Sequence, residues 1–231
     1  MKRIVVAGAL LGSGLLLAGC GIGDIGGPEQ EDTVSYDVAD KVALLEIDSE
    51  AGDIVVTEAD RSGIKVTETL HWRGQKPEPE HPVNGDRLAL SYNCPGGMGF
   101  RSCSVDYRVE VPRGLGLTVS TGSGDITLRN ASGTLIANTG SGDIEAAGLT
   151  SKESTVETGS GAVELRYTAV PAQVKVETGS GDATVRVPDG RYDVEAETGS
   201  GDRSVEVSHD PSASAKVIVT TGSGNAAVLK S

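Results

Sequence analysis

Aromatic side chains are nearly missing from this chain. Its 231 residues hold one Trp, one Phe and five Tyr. Large rings carry much of the burial in thick globular cores. Their scarcity excludes a thick core and points to a thin one of Val, Ile, Leu and Ala between short strands. Positive charge is also scarce: Lys and Arg number 20 against 33 Asp and Glu, a formal net charge of −13. Phosphate recognition needs a Lys/Arg surface, so nucleic acid is excluded as a partner. Unaided docking on anionic headgroups is disfavoured for the same reason. The chain has no G-x-S-x-G elbow for a nucleophilic serine and no G-x-x-x-x-G-K-[ST] loop for a phosphate. Nothing here supports catalysis, and the expectation is a protein that is not an enzyme.

Glycine, by contrast, is abundant at 32 residues, and the chain opens with an address. Lys2 and Arg3 precede an apolar run from Ile4 to Ala18. Such a run is shorter than the roughly 20 residues a spanning helix needs. A basic start, an apolar middle and small residues at the end make a secretory signal. The small residues, Leu17-Ala18-Gly19-Cys20, resemble the bacterial lipobox. That resemblance implies a signal peptide over 1–19 and a diacylglyceryl group on Cys20, which holds the chain to a bacterial membrane on its extracytoplasmic side. With a single-membrane envelope this is the cell surface. Two acyl chains anchor stably where one does not. Residues 20–35 then read as the lipidated Cys and a flexible tether, because Gly, Pro and acidic residues dominate them.

The two other cysteines, Cys94 and Cys103, enclose the turn-rich segment PGGMGFRS. In an oxidising compartment an even pair this close reads as a disulfide. Residues 36–114 as a whole read as a less regular β region that caps the C-terminal half of the chain. VALLEI, DIVVTE, IKVTETLHW, RLALSY and VDYRVEVP alternate or run apolar between turn signals, and KPEPEHPVNGD over 76–86 reads as a loop.

From residue 115 onward the chain repeats. Thr-Gly-Ser-Gly begins at Thr121, Thr139, Thr158, Thr178, Thr198 and Thr221, at intervals of 18 to 23 residues. Repeats of this length mean a solenoid or a related array. Two residues before the Thr stand Val119, Ala137, Val156, Val176, Ala196 and Val219; five after it stand Ile126, Ile144, Val163, Ala183, Arg203 and Ala226. Apolar positions recur every second residue on both sides of the tetrapeptide, which is strand periodicity. Each coil is therefore strand, TGSG corner, strand and return loop. Arg203 breaks the inward pattern, so its coil is expected to fray or to turn the Arg to solvent. Stacking at about 4.8 Å is expected to align the Thr and Ser hydroxyls in ladders between copies. The expected fold class is all-β, a single-stranded β-solenoid or β-helix-like array over 115–231. Its expected hand is right, from the general preference of parallel crossovers.

VPRGLGLTVSTGSGDITL at 111–128, with GSGD at most corners, resembles the bacterial putative-adhesin β-solenoid family, a domain of unknown function. The similarity runs from about residue 36 to the C-terminus. DSEAGDIVV at 48–56 looks like a degenerate first copy, with Gly52-Asp53-Ile54 in the corner role. The resemblance implies a partly solenoidal surface domain and brings no catalytic or ligand residues with it.

Two polar columns invite a functional reading. The residue after each GSG is Asp125, Asp143, Ala162, Asp182, Asp202 or Asn225. A column of Asp125, Asp143, Asp182 and Asp202 suggests calcium, which takes six to eight oxygens. The competing reading makes each Asp a turn cap bonded to nearby backbone N–H groups. Before each Thr stand Ser120, Asn138, Glu157, Glu177, Glu197 and Thr220. Three glutamates stacked at strand spacing repel one another, unless Lys175 or a cation relieves them. His71, His81, Glu78 and Glu80 offer metal-ligating types without metal-site spacing. The expected function is thus a non-catalytic, lipid-anchored, adhesin-like or scaffolding interaction module with an unknown surface protein or glycan as partner. The alternatives are a calcium-stabilised binding module and an envelope enzyme acting on glycan or peptide. NAAVLKS at the C-terminus lacks a cap, so an exposed last coil is expected to favour head-to-tail self-association.

Overall fold

The computed structural model describes residues 28–95 and 103–231. The signal peptide and Cys20 lie outside the described residues. Among the described residues every regular element is a strand, and no helix there is long and apolar enough to cross a membrane. Two sheets face each other, one of eleven strands and one of ten. They are built from two-strand coils, one strand in each sheet, joined by a sharp corner.

In chain order the coils are coil 1 (Leu44–Ala51, Ile54–Glu58), coil 2 (Arg87–Asn93, Cys103–Val111), coil 3 (Gly116–Ser123, Ile126–Arg129) and coil 4 (Leu135–Ser141, Ile144–Leu149). Coil 5 (Glu153–Ser160, Val163–Tyr167), coil 6 (Gln173–Ser180, Ala183–Val187), coil 7 (Arg191–Thr198, Arg203–Val205) and coil 8 (Lys216–Ser223, Ala226–Lys230) complete the array. The stacking is parallel and in register. Thr121, Thr139, Thr158 and Thr178 are successive partners, as are Ile126, Ile144, Val163 and Ala183. The thin aliphatic core lies between the sheets: Val119, Val156, Val176, Leu128, Leu165 and Val185 have no exposed surface. Each coil alone leaves this face open, and its neighbours close it.

The space order differs from the chain order at both ends. From one end of the stack to the other the coils run 2, 1, 3, 4, 5, 6, 8, 7. Two expectations are corrected here. The solenoid does not begin at residue 115: coils 1 and 2 belong to it, and the degenerate copy at 48–56 pairs with coil 3, with Ile54 opposite Ile126 and Ser49 opposite Thr121. The last coil is not exposed either. Coil 8 lies between coils 6 and 7, so the premise for head-to-tail stacking on a bare C-terminal coil falls away.

The other end is closed by antiparallel strands. Ile64–Trp72 pairs with Cys103–Val111 of coil 2, and Gln30–Val38 pairs with Ile64–Trp72. The expected tether over 20–35 is therefore shorter, because strand structure already starts at Gln30. Alternation over Tyr36 and Val38 continues back through Val34, and pairing with Ile64–Trp72 orders the polar residues before it. The stretch 76–86 is not all loop. Glu78–Glu80 and Val83–Asn84 pair with Arg87–Asn93, the second through a tight turn at Gly85 and Asp86. A two-residue hairpin with glycine at its first central position needs positive φ there, and Gly85 has φ +66°.

Candidate functional site

The TGSG corner is where the repeated polar residues converge, and its geometry shows what each does. At the junction of coils 4 and 5, Thr158 Oγ1 donates to the Gly142 carbonyl at 3.1 Å. Gly142 N donates to the Ser160 carbonyl at 2.9 Å, and Asp143 Oδ1 accepts from Ala162 N at 2.7 Å. The same three links recur along the stack. Thr121, Thr139, Thr178, Thr221 and Thr198 donate to the carbonyls of Gly52, Gly124, Gly161, Gly181 and Gly224. The expected hydroxyl-to-hydroxyl ladders are thus replaced by hydroxyl-to-carbonyl links between coils, and the Ser residues of the corners are exposed to solvent. A parallel stack brings a neighbour's Gly carbonyl, rather than its hydroxyl, opposite each buried Thr.

The glycines are dictated by the same close approach. A Cβ on Gly140 would stand 2.6 Å from the Gly122 carbonyl oxygen. One on Gly142, at φ +149°, would stand 2.1 Å from that of Gly124. The first glycine is required by space alone, the second by space and by a backbone region that L side chains avoid.

The aspartate column has a structural task. Asp53 Oδ1 accepts from Asp125 N at 2.9 Å, and Asp125 Oδ1 from Asp143 N at 2.8 Å. Asp106 Oδ1 begins the series by accepting from Asp53 N at 2.8 Å. Ala162 interrupts it. Asp182 Oδ1 resumes it with Asn225 N at 2.7 Å, and Asn225 Oδ1 accepts from Asp202 N at 2.9 Å. Each side chain caps the N–H of the next coil in space. Asp125 and Asp143 lie on adjacent coils, Asp143 and Asp182 are separated by Ala162, and Asp202 stands alone at the far end. Among the described residues, no three His, Cys, Asp or Glu side chains converge as a metal-holding group.

The glutamate column also changes with the coil order. Thr220 separates Glu177 from Glu197, so only Glu157 and Glu177 are adjacent. Lys175 bridges them, its Nζ 2.9 Å from Glu177 and 3.8 Å from Glu157. The two carboxylates, Glu177 first, hold the ammonium above its ordinary pKa. Beside them runs a shallow groove of about 540 Å³ on the outer face of the eleven-stranded sheet, lined by Asn138, Glu157, Glu177, Thr220 and the corner Thr and Gly residues. Ile136, exposed to 39%, lies on the same strand as Asn138, two residues before it.

The histidines are not gathered. His71 Nε2 lies 3.1 Å from Asp106 and its Nδ1 3.7 Å from Glu31, while the His81 ring packs on Tyr36 with centroids 4.7 Å apart. Sequence reasoning missed Glu68. Only 2% exposed, it accepts from the Tyr36 hydroxyl at 2.7 Å. Burial raises its carboxyl above the ordinary range, against the opposing effects of the Tyr36 bond and His81. Its signal was an acid on the inward phase of IKVTETLHW. The Cys94–Cys103 disulfide is present and takes the place of a TGSG corner in coil 2.

The Toastrack DUF4097 family model matches residues 42–183 and, overlapping them, 114–229. The chain belongs to the Toastrack DUF4097 family. The two overlapping matches reflect the internal repeat, and together they span coil 1 to coil 8. A putative cell adhesion protein from Clostridium sporogenes shares the fold at 17% identity, over 87% of this chain and 100% of that one, with a TM-score of 0.52. A putative adhesin from Bacteroides fragilis is similar at 13% identity over 86% and 96%, with a TM-score of 0.41. No curated protein matches the chain.

Proposed function

We propose that this Toastrack chain is a non-catalytic, lipid-anchored interaction module displayed outside a bacterial membrane. Its adhesin-like or scaffolding contact with a surface protein or glycan is made through the outer face of the eleven-stranded sheet. The observation that carries the reading is the groove along Glu157 and Glu177: it is open, lies on the outer face of the eleven-stranded sheet and presents Asn138, Glu157, Glu177 and Thr220 beside the buried corner Thr residues. The other repeated polar groups are spent on holding coil to coil, as Thr158 and Asp143 are. The lipobox-like Leu17-Ala18-Gly19-Cys20 supports the anchor, and the cell adhesion description of the Clostridium sporogenes protein agrees with a surface role.

The test has two arms on the full chain in a bacterial host. Cys20→Ser is expected to abolish fatty-acid labelling and release the protein from membranes; retained labelling overturns the anchor. Glu157→Gln with Glu177→Gln is expected to lower binding of purified protein to envelope fractions at least tenfold at a nearly unchanged melting temperature. Unchanged binding moves the contact off this face. Melting curves in millimolar calcium and in chelator are expected to coincide. A calcium-specific rise that Asp125→Asn and Asp143→Asn remove favours the calcium-stabilised alternative instead.

A further inference from the structure

Coil 8 fills a gap that the chain has already passed. Coil 7 follows coil 6 in sequence but stands two places beyond it, and the C-terminal strands return to lie between them. The corners do not require this. Thr221 donates to the Gly181 carbonyl at 2.9 Å just as Thr198 donates to that of Gly224 at 2.8 Å. The Asp182 carboxylate serves Asn225 N as the Asn225 amide serves Asp202 N. By corner chemistry either coil suits coil 6.

The core positions differ. Register places Ala183, Ala226 and Arg203 in one inward column. Ala183 and Ala226 are completely buried, whereas Arg203 is exposed. Between coils 6 and 8 its guanidinium would stand among aliphatic side chains with no carboxylate in the column, and an unpaired buried charge is strongly destabilising. At the end of the rod it reaches water. Coil 7 carries two further end features. Tyr192 is fully buried at the start of coil 7, and its hydroxyl donates to the Pro188 carbonyl at 2.8 Å. Ser208–His209 covers the outer side of Arg191 and Tyr192, and Val194 N donates to His209 Nδ1 at 3.1 Å.

We propose that Arg203 is the ordering residue of this end: a charge at a core position that holds coil 7 outermost and routes the C-terminal coil into the interior. Inward-pointing charge on an edge strand also blocks addition of further strands, so the same residue ends the rod.

Cysteine pairs in the full chain read the order directly. Ser180 and Ser223 are register partners, within disulfide reach. Ser180 and Ser200 are two coils apart, about 10 Å by strand spacing, beyond the roughly 7 Å limit for bridging. Ser180→Cys with Ser223→Cys is expected to cross-link, and Ser180→Cys with Ser200→Cys is not. Exchanging the two core residues, as Arg203→Ala with Ala226→Arg, is expected to invert that pattern in peptide maps. An exchanged chain that keeps the Ser180–Ser223 link overturns the proposal. Should the exchanged chain fail to fold, Arg203→Val alone is expected to raise the Ser180–Ser200 link at least tenfold over its parent, and an unchanged yield overturns the proposal equally.

Discussion

Coils 3 to 6 and the end formed by coils 1 and 2 solve one problem in two ways. In the regular coils a short list of contacts is repeated: Thr hydroxyl to Gly carbonyl, Gly N to Ser carbonyl, Asp carboxylate to backbone N–H. At the other end almost every contact is used once. Glu58 gathers Ser132 N at 2.9 Å, the Ser132 hydroxyl and Gly114 N at 3.2 Å. The Tyr92 hydroxyl accepts from Ala51 N at 2.8 Å and donates to the Ala51 carbonyl at 3.0 Å. Arg61 joins Asp37 and Glu110, each at 2.7 Å. Repetition stabilises every rung alike but leaves the rungs interchangeable, which is why coils 7 and 8 can be stacked out of chain order. Unique contacts specify which strand goes where, and an array of like coils needs them at its ends.

The sharpest break between the two regions is expected from glycine. Gly142→Ala combines positive φ with a contact at 2.1 Å, and strain and overpacking together should remove on the order of 4 kcal/mol. That corresponds to a fall of roughly 10 °C in thermal melts monitored by circular dichroism. Gly85→Ala at φ +66° meets open space and should cost only about 1–2 kcal/mol. Next in size is the disulfide. Cys94→Ser with Cys103→Ser should cost about 2–3 kcal/mol in the chain-entropy picture. Hydrogen exchange should then speed up in Arg87–Asn93 and Cys103–Val111 and stay slow in coils 4 to 6.

Thr158→Val should cost about 1–2 kcal/mol by leaving the Gly142 carbonyl short of a donor. Ser160→Ala, at a residue facing water, should stay within about 0.5 kcal/mol; paired denaturant titrations separate the two. Ala162→Asn should gain about 0.5–1.5 kcal/mol by restoring an acceptor for Asp182 N, as Asn225 does for Asp202. The last effect, read only as a change with pH, is expected at Glu68. Burial raises its folded pKa above the unfolded value, so the folded state binds more protons between the two. Stability from this group is therefore full below the unfolded pKa of about 4.3 and declines as pH rises through the folded value. Glu68→Gln should flatten that decline in melts taken from pH 4 to 7.

Much of the repeat was legible in the residues. Spacing by twos around each Thr identified Val119, Val156 and Ile126 as core, and stacking in register made Thr121, Thr139 and Thr158 partners. Gly52-Asp53-Ile54 could be read as a corner because the Gly-Asp-apolar step survived where the Thr did not. The hydroxyl ladders were misjudged because sequence alignment pairs like with like, while the sharp corner displaces each hydroxyl toward the neighbour's Gly carbonyl. Coil 2 was hidden because a disulfide-closed segment replaces its TGSG, so its two strands carried no repeat signal.

The two-strand coil, its corner, its inward residues and the thinness of the core were settled at the level of sequence. They come from local periodicity, from glycine's access to positive φ and from a shortage of large rings. The order of the coils was settled only in three dimensions. Coils with the same corner can stack in more than one sequence of neighbours. The choice rests on which side chain enters a shared core: Ala226 fits between coils 6 and 7, and Arg203 fits only where one side of its coil is water.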